Sequence, residues 1–303
     1  MPTRLSLLAL LALLCCSCGF KHEPTGPLAA YPQTVRDAIG HEVRIDTAPR
    51  KIVSLDPGMT AAMYALGAQK LLVGRSGGET YPKKALRLPV MAQNGKPDTK
   101  AIIKAGPDVV LVPQSMAPTV ADVDALQRRI AAVVYVVSAS TVSGVESDIS
   151  ELGLITDHAS AGRQLAAHIQ SSVANIEQAV AGQPPAHAFV DLGFSYTIDP
   201  TSITGDMLRL GGGQNVASEV DPSKPVTVAE LSSLAPDVYI SEAQQGATLK
   251  ELKKHKGTAK LPAVTQGRVV QLPGSVLTED GPRIASALAQ IAKALHPDAA
   301  IQP

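Results

Sequence analysis

Tryptophan is absent from the 303-residue chain, and phenylalanine and tyrosine together make up only 3% of it. Any ligand pocket must therefore form without indole rings. Net charge is lacking as well: 27 Lys and Arg stand against 27 Asp and Glu. Nucleic-acid binding needs a basic face, so no nucleic-acid partner is expected. Cysteine is confined to Cys15, Cys16 and Cys18, which excludes a disulfide framework spread through a folded domain. It also excludes thiol catalysis beyond residue 18. The seven histidines share no loop and no ligand-like spacing, so a bare Zn²⁺ or Mn²⁺ site has no support. No Gly-Lys-Ser/Thr run marks a phosphate loop, and Gly211-Gly212-Gly213 follows a helical stretch instead of a strand. It reads as a helix terminus and turn.

What the sequence does contain begins at the N-terminus. Arg4 is followed by an apolar run from Leu5 to Leu14 and then by small residues. The run is shorter than the roughly 20 residues of a bilayer span, and its pattern is that of an export signal over residues 1–17. The three cysteines at its end resemble the lipobox of bacterial lipoproteins, in which the signal is cut before a Cys that receives a diacylglycerol. Cys18, between Ser17 and Gly19, is the expected lipidation site. Cys16 is the alternative, because Leu13 stands three positions before it, whereas Cys18 has Cys15 there. Residues 18–30 mix Pro, Gly and polar side chains without periodicity, as a flexible tether does. A chain anchored in this way sits on a membrane without crossing it.

From residue 31 the pattern is that of an α/β protein. Thr34–Ile45 reads as a hairpin around Ile39-Gly40-His41. Short continuous apolar runs at 51–55, 71–75, 108–112 and 133–137 alternate with helical spacing at 60–66, 98–104 and 120–132. Such runs suit parallel strands covered on both faces. The alternation restarts at Ala188–Leu192 and closes with a helix from Arg283 to Leu295. DTKAIIKAGPDVVLV (98–112) and TVAELSSLAPDVYIS (227–241) repeat the same order of helix, Pro-Asp and strand. Between the halves, Val142–Val180 lacks Pro and repeats apolar residues at helical spacing. One long helix, or two in line, is expected there, spanning more than about 50 Å. The division is thus an N-terminal lobe (31–138), a connecting helix (139–183) and a C-terminal lobe (184–303).

The segments TVRDAIGHEVRIDTAPRKIVSLDPGMTAAMYALGA, LVGRSGGETYP, IIKAGPDVVLV, DMLRLGGGQNVA, LSSLAPDVYIS and EDGPRIASALAQIAKALHP, in that order, carry a family resemblance from Tyr31 to Pro297. The chain resembles the lipoprotein solute-binding component of metal-chelate ABC importers, the group that binds ferric siderophores, haem and cobalamin. The resemblance implies the class III periplasmic-binding-protein fold: two Rossmann-like lobes with parallel sheets joined by a long rigid α-helix. It implies no catalysis and no cofactor, a metal chelate held in the interlobe cleft, and a monomer that docks on an ABC permease with its ATPase. An iron chelate (haem or ferric siderophore) is the first expectation and a corrinoid the second. A ligand-sensing protein uncoupled from import is the reading from another class.

Ligands of parallel sheets bind beyond the carboxyl ends of the strands. The expected ligand-binding residues lie on such loops: Asp56, Arg75, Glu79, Tyr81, Gln93, Asn94, Tyr196, Glu242 and Thr278. Within the family a Tyr at the place of Tyr81 faces the cleft and, in the haem branch, can ligate iron, as a phenolate suits ferric haem. Tyr196 would stack on a planar ligand from the other side, or pack into the core with Phe194. Two departures stand out. The family's docking acids fall at Lys100 and Ala229, which leaves Asp98 and Glu230 as the nearest docking candidates. The Trp-lined segment of the cobalamin branch corresponds here to Gln93-Asn94-Gly95.

Overall fold

The computed structural model describes residues 31–93, 95–138 and 140–302. The expected signal segment, Cys18, the tether and Asn94 lie outside the described residues.

The first half opens with an antiparallel hairpin of β1 (Gln33–Arg36) and β2 (Glu42–Ile45), turning at Gly40 with φ 77°. There follow β3 (Ile52–Ser54), α1 (Pro57–Ala65), β4 (Leu72–Gly74) and the short pair β5 (Ala92–Gln93) and β6 (Lys96–Pro97). Then come α2 (Thr99–Ala105), β7 (Val109–Pro113), α3 (Val120–Ile130) and β8 (Val133–Val137). Helix α1 starts before the predicted Thr60. The Asp56 carboxylate accepts from the Met59 N–H at 2.8 Å, and Pro57 occupies the first turn, a capped start that apolar spacing does not reveal.

Helices α4 (Val142–Ile155) and α5 (Ala159–Val180) lead into the second half. Its elements are β9 (Ala186–Asp191), α6 (Ile203–Leu210), β10 (Gly213–Asn215), α7 (Val228–Leu234) and β11 (Val238–Glu242). After these come α8 (Leu249–Lys254), α9 (Pro262–Thr265), β12 (Val269–Leu272), α10 (Gly274–Leu277) and α11 (Ile284–Leu295). Both main sheets are four-stranded and parallel, ordered β4-β3-β7-β8 and β10-β9-β11-β12. The internal echo is therefore topological, since in each half the second strand lies outside the first and the third and fourth follow on the other side. Gly211 caps α6 and Gly212 turns with φ 82°, the helix end and turn expected there.

Strand residues alternate between two cores, as side chains on a pleated strand must. Val109 and Leu111 join a cluster that runs continuously from Val35 through α4 and α5 to Leu295. Val110 and Val112 face a separate cluster with Ile102 and Val123, and Phe189 and Tyr239 do the same in the second half. The shared inner core joins the two lobes.

The connector departs from a straight rod. Its helical periodicity holds, but the helix breaks at Thr156–His158, where Asp157 has φ 61° and the His158 N–H bonds to the Gly153 carbonyl at 2.7 Å. The chain then folds back, so that a Cβ on Gly153 would lie 2.9 Å from the Gly162 Cα. Two helices in line would hold these residues about 13 Å apart at 1.5 Å per residue. Helix α4 packs on the first half and α5 on the second, against α11 and α6. The Val142 N–H donates to the Asp206 carboxylate at 2.9 Å, tying α4 to α6. Gly153→Ala puts a methyl group into this backbone contact and is expected to destabilise the protein by about 1–3 kcal/mol, the usual range for overpacking. Chemical denaturation checks this.

Candidate interlobe site

Both sheets end at the same crevice. The β3 and β4 loops come from one side and the β12 loop from the other, and together they enclose a cavity of 390 Å³. Pro57, Gly58 and Tyr81 line it from the first lobe, and Ser275, Thr278 and Arg283 from the second. A larger hollow of 580 Å³ lies by Asp46, Pro107 and Arg128. It sits at the amino ends of β7 and β8, where Asp108 is occupied by the Arg50 and Lys51 N–H groups, away from the strand-end loops.

Close approach across the crevice depends on glycine. A Cβ on Gly281 would come within 2.8 Å of the Gly58 Cα and carbonyl oxygen, and one on Gly58 would collide with the Asp280 backbone. Beside this seam lie the Asp56 carboxyl, which caps α1, and the Asp280 carboxyl, close enough to Asp56 to feel its charge. Burial pushes both above the ordinary carboxylate value; Asp148 and Glu79 add to the shift of Asp56, and Asp56 and Glu279 to that of Asp280. At the mouth, the Arg283 guanidinium lies 4.3 Å from the centroid of the Tyr81 ring and bonds to the Glu279 carboxylate at 2.7 Å. This cation–π contact spans the two lobes.

The predicted residues divide by position. Tyr81 and Thr278 line the cavity, and Asp56 lies directly beneath it as the cap of α1. Arg75 and Glu79 are bonded to each other at 2.9 Å and hold the loop that carries Tyr81. Arg75 also donates to the Leu88 carbonyl, and Glu79 accepts from Ser76, Gly77 and Thr60. Glu242 accepts from the Gln244 and Gln245 N–H groups at 2.8 and 2.7 Å and from Gly274 at 3.1 Å, locking two strand-end loops together. Gln93 is exposed and donates to Asp98 at 3.3 Å, outside the cavity wall. Tyr196 is half-exposed on the β9 loop and also stands outside that wall. Asp98 caps α2, and Glu230 forms a capping box with Thr227 in α7. Lys100 and Ala229 are the second residues of these matched helices.

Arg283, Asp280 and Gly58 were not predicted. Gly58 lies within the loop after β3, and Asp280 and Arg283 lie just past Thr278; the Pro-Gly and Asp-Gly dipeptides there were the available signal. Gly74-Arg75-Ser76-Gly77-Gly78 fits the Gly-x-Ser-x-Gly pattern of a nucleophile elbow. The serine leads into a loop instead of a helix, and its hydroxyl donates to Glu79 at 3.0 Å and accepts from Gly78. It builds the loop and has no catalytic partner in that network.

Comparison with known proteins gives the family and the fold. Residues 52–276 match the family described as periplasmic binding protein. A cobalamin-binding protein of Halobacterium salinarum is 27% identical over 287 residues, covering 91% of this chain and 77% of its own. The ABC transporter substrate-binding lipoprotein YvrC of Bacillus subtilis, itself uncharacterised, is 25% identical, with 96% of each chain covered. Among solved structures, the periplasmic heme-binding protein RhuT of Roseiflexus superposes with a TM-score of 0.69 at 22% identity, over 82% of this chain and 98% of its own. That likeness is one of fold.

Proposed function

The chain belongs to the periplasmic binding protein family, and from that membership we propose that it is a lipid-anchored extracytoplasmic receptor that captures a metal chelate between its lobes for an ABC importer. The observation that carries the reading is the cavity at the carboxyl ends of both sheets, walled by Tyr81 on one lobe and Arg283 on the other. A ligand there touches both lobes at once, and rim polar groups fix its orientation.

A corrinoid is favoured over haem or a ferric siderophore. A relative named for cobalamin aligns over most of the chain. An iron chelate, the first expectation from sequence, stands second. Docking on the permease is assigned to the cleft-end faces of the lobes, where Asp98 and Glu230 stand at matched helix starts.

A visible-absorption titration of the purified protein with cobalamin, hemin and a ferric siderophore tests the reading. Saturable binding of cobalamin at about micromolar concentration or below is expected. Tyr81→Ala should weaken it about tenfold, the loss of one aromatic contact. Saturation by hemin alone reverses the ligand order, and binding of none of the three removes the chelate-receptor reading.

A further inference from the structure

The most exposed large apolar side chain among the described residues is Phe194, at 74%. It occupies a place that disfavours it. Gly193, Phe194 and Ser195 have φ of 118°, 53° and 64°, and the Tyr196 N–H bonds to the Gly193 carbonyl at 3.0 Å. Two central residues with positive φ under such a bond make a type I′ turn, which calls for Asn-Gly. A bulky aromatic residue there is strained. The turn is nonetheless held firmly: Asp191 accepts from the Gly193 and Ser195 N–H groups at 2.9 and 3.1 Å, from the Tyr239 hydroxyl and from Ala247. The Ser195 carbonyl accepts from Val226 at 2.9 Å.

A strained, over-determined backbone that holds an apolar ring out in water gains nothing for the folded state, and such exceptions to local rules gather at functional sites. The turn's place in the fold adds a second observation. It follows β9, the first strand of the second lobe, at the point where the strand order reverses, the position at which open parallel sheets bind ligands. Its counterpart after β3, Pro57-Gly58, lines the cavity. The exposed apolar side chains Tyr81, Leu86 and Val90 belong to the loop that forms the other side of the mouth.

We propose that Phe194 is a ligand-contacting residue: it forms an apolar lip on the second lobe that packs on the flat or apolar face of a chelate too large for the cavity alone. This rests on the chelate-receptor reading above. The strain at residue 194 is retained for that contact, so binding and stability should pull in opposite directions.

The test uses the full chain with cobalamin and hemin as probes, and thermal melting without ligand. Phe194→Gly relieves the turn and should raise Tm by about 2–4 °C for a protein of this size, while weakening the bound probe about tenfold or more. Phe194→Ala should lose the same affinity, and Phe194→Tyr should keep it. Wild-type affinity in the Gly and Ala variants overturns the proposal and leaves the receptor reading intact. A fall in Tm for Phe194→Gly also overturns it, because the ring would then be held by packing. If the wild-type protein binds neither of these probes nor a ferric siderophore, both readings fail together.

Discussion

Replacing Glu79 by Ala is expected to cost about 3–5 kcal/mol of stability, the scale for removing one partner of a buried ion pair, and to abolish binding in the cleft. The Glu79 side chain is fully buried and the Arg75 side chain is 13% exposed. Its Oε2 accepts from Arg75 and the Gly77 N–H, and its Oε1 from the Ser76 N–H, the Ser76 hydroxyl and the Thr60 hydroxyl. Truncation takes the acceptor from the Ser76 and Gly77 N–H groups, the Ser76 hydroxyl and Arg75 Nη1 at the root of the loop that carries Tyr81, while Thr60 keeps the Asp56 carbonyl and Arg75 the Leu88 carbonyl. Urea unfolding and probe titration measure the two losses. Glu79→Gln should fall between wild type and Ala, because one face of the amide presents donors to donors. Burial pushes this carboxyl up, but Arg75 and the loop N–H groups hold it below the ordinary range. Its contribution is therefore present at neutral pH and is lost as pH falls through its lowered folded value.

How much of this was legible in the sequence depends on how local each feature is. The strands were, because Asp108–Val112 and Val133–Val137 are continuous apolar runs covered on both faces. The internal echo was too, since α2 with β7 and α7 with β11 repeat at one spacing. Periodicity gave the helices between the halves but not their path. Gly153 and Gly162 look like breaks in a linear reading, whereas in space they are the contact that lets α5 fold against α4. Nothing in a helical period records which two glycines will touch.

The site divides in the same way. Tyr81 and Thr278 were legible from strand-end position. Arg75, Glu79 and Glu242 occupy the same kind of loop, yet their charges are spent inside the protein, because a carboxylate's donors are chosen by folding. Asp98 and Glu230 carry a local signal that points elsewhere: Thr-x-x-Glu at Thr227–Glu230 is a capping box. Arg283 could not be read as a cleft residue, because its contact with Tyr81 joins residues about 200 positions apart in a seam that only tertiary structure creates.

That seam should respond to pH. The Asp56 and Asp280 carboxyls are raised in the closed seam chiefly by burial, Asp280 also by the Asp56 charge, and Glu79, Asp148 and Glu279 add negative charge, while the nearby cations Arg75 and Arg283 are committed to Glu79 and Glu279. In an open cleft, water would return both toward the ordinary value of about 4. The closed form therefore binds more protons than the open form, so closure is favoured at acidic pH and is lost as pH rises from about 4 through the raised values of the pair. One proton held in common changes the closed-to-open ratio by up to about tenfold per pH unit within that window. Hydrogen exchange at the Gly58 and Gly281 amides, followed from about pH 5 to about pH 9 and corrected for the intrinsic rate, should show protection falling as pH increases. Asp280→Asn removes one of the two titrating carboxyls, so its profile should be flatter, with Asp56 left to titrate in the seam. A wild-type profile as flat as that of the Asn variant would mean that the glycine contacts alone hold the lobes together. Asp148, itself pushed up to about 7 by burial, titrates in both proteins and so cancels from the comparison.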